Sequence, residues 1–141
     1  MHINEYTYEQ IEIGTKESFE VSVTEEMLES FKKITGDINP LHNDAEYARS
    51  MKYEDRVVYG MLTASFLSTL AGVYLPGKRS LIMETNIKYT KPVYCGDIIF
   101  VEGTVTDKND MFRFIVLKVV MKNHRGDKVL RAEMKVRVVD E

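Results

Sequence analysis

The chain has one cysteine, Cys95, so it cannot close an internal disulfide, a composition that suits a reducing compartment. His2, His42, His124 and Cys95 do not fall at metal-ligand spacing, and no metal site is expected. No basic run exceeds two residues and the formal net charge is -3, so the electrostatic footprint of a nucleic-acid binder is missing. Residues 1–10 have neither a basic start nor an apolar core, so no secretory signal is expected and the chain reads as cytoplasmic. Repeats, low-complexity tracts and composition breaks are also missing. With 141 residues, 44% of them hydrophobic and 29% charged, the expectation is one globular domain over 1–141.

Charge is missing locally as well, from Val57 to Gly77. A membrane span is the first reading of such a stretch. Gly60, Gly72, Pro76 and Gly77, with the hydroxyls of Thr63, Ser65, Ser68 and Thr69, argue against it. A helix that avoids charge all round is instead one buried on most sides. The spacing predicts a helix from about Gly60 to Gly72, stopped there and by Pro76-Gly77. Gly60, Ala64, Ser68 and Ala71 recur at intervals of four, four and three, lining one stripe with small side chains. That stripe either packs closely on a sheet or leaves a groove for an extended apolar ligand.

Around this helix the sequence alternates. Phe19, Val21 and Val23 share one face of a strand. Thr24 is a good N-cap for a helix whose apolar edge is Met27, Phe31 and Ile34, with Glu25 and Glu26 in its first turn and Lys32 and Lys33 in its last. Asp44 can cap a second short helix through Tyr47 and Ala48. Further strands are predicted over Leu81–Tyr89, over Ile99–Val105 before a turn at 107–110, and over Met111–Asn123 as a central strand. Leu130, Ala132, Met134, Val136 and Val138 alternate with charged neighbours, the clearest period-two signal in the chain. A buried helix followed by four antiparallel strands suggests a sheet curled around that helix.

Between the two main helices lies a stretch of turn chemistry. Gly36 tolerates the left-handed conformation that closes a helix, and Pro40 pushes Asn39 out of the helical region. The result is a stiff loop with Asp37 at one end and His42 at the other. A carboxylate and an imidazole held a few residues apart can share a proton-transfer task. Ordinary turn residues and a surface histidine are the alternative.

The full pattern resembles the signature of the MaoC-like (R)-specific enoyl-CoA hydratases: Phe31, Thr35, Gly36, Asp37, Asn39, Pro40, Leu41, His42 and Ala48 fall on it in register. Residues 58–62, 75–77 and 91–97 also look like family segments, and one departure is Tyr59, where relatives commonly have His. The resemblance implies an α+β hot-dog fold, a curved antiparallel sheet wrapped around the Gly60 helix, and a homodimer or higher homo-oligomer. It implies a lyase adding water reversibly to a trans-2-enoyl thioester, giving the (R)-3-hydroxyacyl product. Asp37 and His42 would hold the water, the Gly60 N–H would meet the developing oxyanion, and Asn39 would orient the loop. Ser68, Ala64, Ala71 and Tyr59 would contact substrate, with Ala71 leaving room for more than a crotonyl group. Coenzyme A or an acyl carrier protein would enter as part of the substrate, with no separate cofactor. A hot-dog thioesterase, a non-catalytic acyl-thioester-binding module and a relative acting on branched or dicarboxylic acyl-CoA are the competing readings.

Overall fold

The computed structural model describes residues 2–140. Its scaffold is one sheet of five antiparallel strands: β1 (Lys16–Ser22), β2 (Ser80–Tyr89), β3 (Ile98–Asn109), β4 (Phe114–Lys122) and β5 (Lys128–Val138). Their order is β1-β3-β4-β5-β2, so the β3-β4-β5 meander is flanked by β1 at one rim and β2 at the other. The alternation of β5 is largely realised: Leu130, Ala132, Met134, Val136 and Val138 are buried while Arg131, Glu133 and Arg137 face solvent and Lys135 is half-buried. These residues join Ile99, Val101, Ile115, Leu117, Val119 and Met121 in one apolar core.

Lying across that core is the charge-free helix, α4 (Gly60–Thr69), which buries Leu62, Thr63 and Leu67. It does not stop at Gly72. A π turn over Leu70–Tyr74 carries it onward, with Leu75 N–H donating to the Leu70 carbonyl at 2.8 Å. The wider turn keeps both Leu70 and Ala71 inside the core. Leu70 fits over Gly103 on β3, where a Cβ would lie only 2.8 Å from its side chain. Sheet and helix together form the hot-dog arrangement. Among the described residues no helix is long and apolar enough to cross a membrane.

Three further helices build the approach to the α4 N-terminus. Helix α1 (Glu25–Thr35) is capped by Thr24, whose Oγ1 accepts from Met27 N–H at 3.2 Å, and ends at Gly36 with φ 73°. Leu28 is its buried residue, whereas Ile34, expected on the apolar edge, is 81% exposed. Met27 and Phe31, the rest of that edge, do pack against the core, so only the last turn leaves it. Helices α2 (Pro40–Asn43) and α3 (Ala45–Ser50) follow, the second capped by Asp44 as expected.

Two strand boundaries differ from the sequence reading. β3 runs through Asn109, and the turn falls at residues 110–113, where Arg113 takes φ 55°. Met111 and Phe112, read as part of the central strand, are exposed turn residues. The shift has a visible cause: the Tyr8 hydroxyl donates to Asp110 at 2.6 Å and Arg113 pairs with Glu9 and Asp140, so the turn is pinned from both termini. β2 also departs from simple alternation. A bulge separates Ile82 from Glu84, and Leu81, Ile82, Met83 and Tyr89 are all exposed along this rim strand.

Candidate active site

The loop between α1 and α2 is held by its own side chains, and this explains its residue types. Thr35 Oγ1 accepts from Asp37 N–H at 3.2 Å, Asp37 Oδ1 from Asn39 N–H at 3.0 Å, and Asn39 Oδ1 from Leu41 N–H at 2.9 Å. Each bond spans two residues, a local geometry that Thr, Asp and Asn can make and longer or apolar side chains cannot. Pro40 opens α2 with its φ preset for the first helical turn. The Asn39 carbonyl accepts from His42 N–H at 3.1 Å and from Asn43 Nδ2 at 2.9 Å.

His42 is oriented from outside the loop. Its Nδ1 lies 2.6 Å from the Val57 carbonyl oxygen. A carbonyl only accepts, so Nδ1 carries the proton and Nε2 keeps its lone pair in the neutral ring. The same segment is tied twice more, by Val57 N–H to the Leu41 carbonyl at 3.1 Å and Val58 N–H to the Val93 carbonyl at 2.8 Å.

Tyr59 completes the frame. It is buried at 2% exposure, and its hydroxyl donates to the Asp37 carbonyl at 2.6 Å while accepting from Asn43 Nδ2 at 3.1 Å. Its ring packs between His42, centroids 4.3 Å apart, and Phe31, at 4.8 Å. One phenol therefore joins both ends of the Asp37–His42 loop to the start of α4. That start has no side-chain cap: Leu62 and Thr63 amides turn back onto the Tyr59 carbonyl, and the Gly60 amide opens the helix. An uncapped helix N-terminus favours negative charge, although α4 is only half sunk in the core, with Met61, Ser65 and Ser68 exposed where burial on most sides was expected.

Asp37, His42, Tyr59 and Gly60 line one cavity of about 210 Å³, with Phe31, Met61 and Tyr89. A second cleft of about 300 Å³ shares His42, Gly60 and Tyr89 with it and continues past Val58, Val93 and Val129. Gly60 lies close under Tyr89: a Cβ there would be 3.1 Å from that ring. Asn39 lines neither space; its side chain caps α2 and faces solvent. Ala64, Ser68 and Ala71 do not line them either. Ala64 packs on the core, Ser68 is exposed and Ala71 is fully buried. The residues that sequence reasoning passed over are Tyr89, Thr63 and the valines of the cleft. Ordinary strand and core positions gave no local signal for them.

Two other chemistries find no support in the arrangement. No three His, Cys, Asp or Glu side chains stand together as metal ligands among the described residues. Cys95 lies outside both cavities, and burial, with the Glu25 carboxylate beside it, pushes its thiol up and away from the nucleophilic thiolate.

A sheet curved around one helix, with a rigid Asp-x-Asn-Pro-x-His loop facing that helix's open end, defines the class as a hot-dog protein of the MaoC type. The MaoC like domain model matches residues 9–126, and the chain belongs to that family. It is 29% identical over 111 residues to the (R)-specific enoyl-CoA hydratase of Rhodospirillum rubrum, covering 79% of this chain and 77% of that one. It is 34% identical over 98 residues to the (R)-specific enoyl-CoA hydratase of Aeromonas caviae, covering 70% and 73%. Among solved structures, the R-hydratase PhaJ1 of Pseudomonas aeruginosa in its unliganded form superposes with TM-score 0.91 at 28% identity, over 99% of this chain and 89% of that one. The (R)-hydratase of A. caviae gives 0.87 at 29% identity, over 92% and 98%.

Proposed function

We propose that the protein is a hydro-lyase that adds water reversibly to a trans-2-enoyl thioester, giving the (R)-3-hydroxyacyl thioester. The observation that carries this reading is the convergence of Asp37, His42 and the uncapped Gly60 amide on one cavity. Water sits between the Asp37 carboxylate and His42 Nε2. Its oxygen bonds to carbon 3 as one of the pair takes one of its protons, and the pair then returns that same proton to carbon 2 of the enolate. The carbon–carbon π pair moves through the thioester carbonyl, whose oxygen becomes enolate-like and is met by the Gly60 N–H. Protons balance, because the proton lost by the water is the one gained by carbon 2, and the dyad ends as it began. Coenzyme A or a carrier protein arrives with the acyl group, and no further cofactor takes part.

Support for the mechanism comes from the fixed tautomer at His42 and from the relatives named as (R)-specific enoyl-CoA hydratases. The test follows crotonyl-CoA hydration by loss of enoyl absorbance in the wild type, Asp37→Asn and His42→Ala. Each substitution should lower turnover by about 10²–10⁴-fold, the range of a lost acid or base, with circular dichroism unchanged. Wild-type protein that hydrates no enoyl-CoA, or variants that keep full turnover, would overturn the proposal.

The same reading includes a homodimer. β2 is a rim strand of ten residues with one edge unpaired by the other described strands, and its Leu81, Ile82 and Met83 are exposed. A long apolar rim invites another strand. A second copy of the chain, adding along β2, would cover it and enclose the Tyr89 wall of the cavity. Met83→Lys should shift the molecule toward monomer in sedimentation velocity. An unchanged dimer would place the interface elsewhere, and a monomeric wild type would remove it.

A further inference from the structure

The dyad cavity cannot hold a whole acyl thioester. At about 210 Å³ it falls short of the roughly 300–1,000 Å³ of pockets that enclose a small ligand. Such a substrate also leaves the reacting carbons in two directions, a polar carrier arm through sulfur and an apolar acyl arm beyond carbon 3. The cavity therefore needs two exits. One is the 300 Å³ cleft past His42, whose rim carries exposed Tyr53, Thr90 and Lys91 and suits the polar arm. Ala71, expected to leave room for the acyl arm, is fully buried and supplies no exit.

The second exit lies on the α1 side. A groove of about 590 Å³ runs between α1 and α4, with Met27, Phe31, Ile34 and Leu62 as its apolar surface and Ser30 and Ser65 at its lip. It adjoins the dyad cavity on both helices. Half-buried Phe31 lines both spaces, and on α4 Met61 lines the cavity while the next residue, Leu62, lines the groove. Ile34 is 81% and Met61 73% exposed. Apolar side chains gathered round a concavity, unlike ones scattered singly, mark a binding surface. Followed along α1 from Phe31 back to Thr24, the groove is about 10 Å long. An extended chain covers that length in about eight bonds.

We propose that the α1–α4 groove holds the acyl chain, so that the substrates are medium-chain enoyl thioesters of about ten carbons rather than crotonyl thioesters. This rests on the enoyl-thioester reading above. Removing one methylene from water is worth about fourfold in affinity. On that scale trans-2-decenoyl-CoA should exceed crotonyl-CoA in kcat/KM by at least about tenfold.

The test measures that ratio in wild type and in Ser30→Trp, which fills the groove from an exposed position. The substitution should lower the ratio by at least about tenfold, whatever it does to crotonyl turnover. A wild type that prefers crotonyl-CoA, or a ratio unchanged in Ser30→Trp, overturns the proposal. Occupancy is read apart from turnover. The chain has no tryptophan, so Ile34→Trp places a lone reporter in the groove. Saturated acyl-CoA cannot be hydrated, and 10-bromodecanoyl-CoA should quench the indole through its terminal bromine where decanoyl-CoA does not. No quenching overturns the groove as an acyl site. So does an indole that a second copy already shields in the free protein, seen as emission that shifts on dilution. Quenching without hydration of any enoyl-CoA keeps the groove and sinks the reaction. Hydration of crotonyl-CoA without quenching does the reverse.

Discussion

Tyr59 stands where chemistry and scaffold meet. Its phenol holds the Asp37 carbonyl and Asn43, while its ring supports His42. Tyr59→Phe keeps the ring and removes both bonds. We expect a stability loss of about 1–3 kcal/mol in urea denaturation, the net worth of two typical hydrogen bonds, and a fall in kcat larger than any change in KM. A change confined to KM would mean that the phenol contacts substrate rather than the loop. Much of this site was legible in the sequence, because the loop is built from contacts two residues apart, and Thr35, Asp37, Asn39 and Pro40 declare that geometry themselves. Tyr59 and Tyr89 were not legible in the same way: the partners of Tyr59 lie 16 and 22 residues away, and Tyr89 meets Gly60 across the fold. The small-residue stripe misled for a related reason, since spacing tells which residues share a helix face but not what that face meets.

At the scale of elements, the packing of α4 and its π turn on the sheet depends on what is absent at Gly103. A methyl there meets Leu70 at 2.8 Å. Gly103→Ala should cost about 1–3 kcal/mol, as overpacking of a close-packed core does, read as a lower urea midpoint. Unchanged stability would show that Leu70 can move aside freely. The turn between β3 and β4 offers a second test. Burial raises the Tyr8 phenol to about 12, with further contributions from its hydrogen bond to Asp110 and from that carboxylate's charge. A raised phenol holds its proton more tightly when folded, so its stabilising contribution is complete below about pH 10 and is lost as pH climbs through about 12. In an absorbance titration of the eight tyrosines, Tyr8 and Tyr6, which burial and the Glu17 carboxylate also raise, should ionise late, and Tyr8→Phe should remove one of these late steps. The clamp also explains the misplaced turn: a boundary fixed by a contact between Tyr8 and Asp110 leaves no trace in local alternation.

For the molecule as a whole, the strand most exposed in the isolated chain is also a wall of its chemistry. Tyr89 ends β2, and its ring lies against Gly60 on both cavities. If β2 is where two copies meet, then catalysis and association draw on the same ten residues. Specific activity should then fall on dilution below the dissociation constant of the pair and recover on concentration. Flat specific activity across that range would uncouple the rim from the reaction. Such coupling would make abundance itself a control on turnover, set by nothing more than an unfinished sheet.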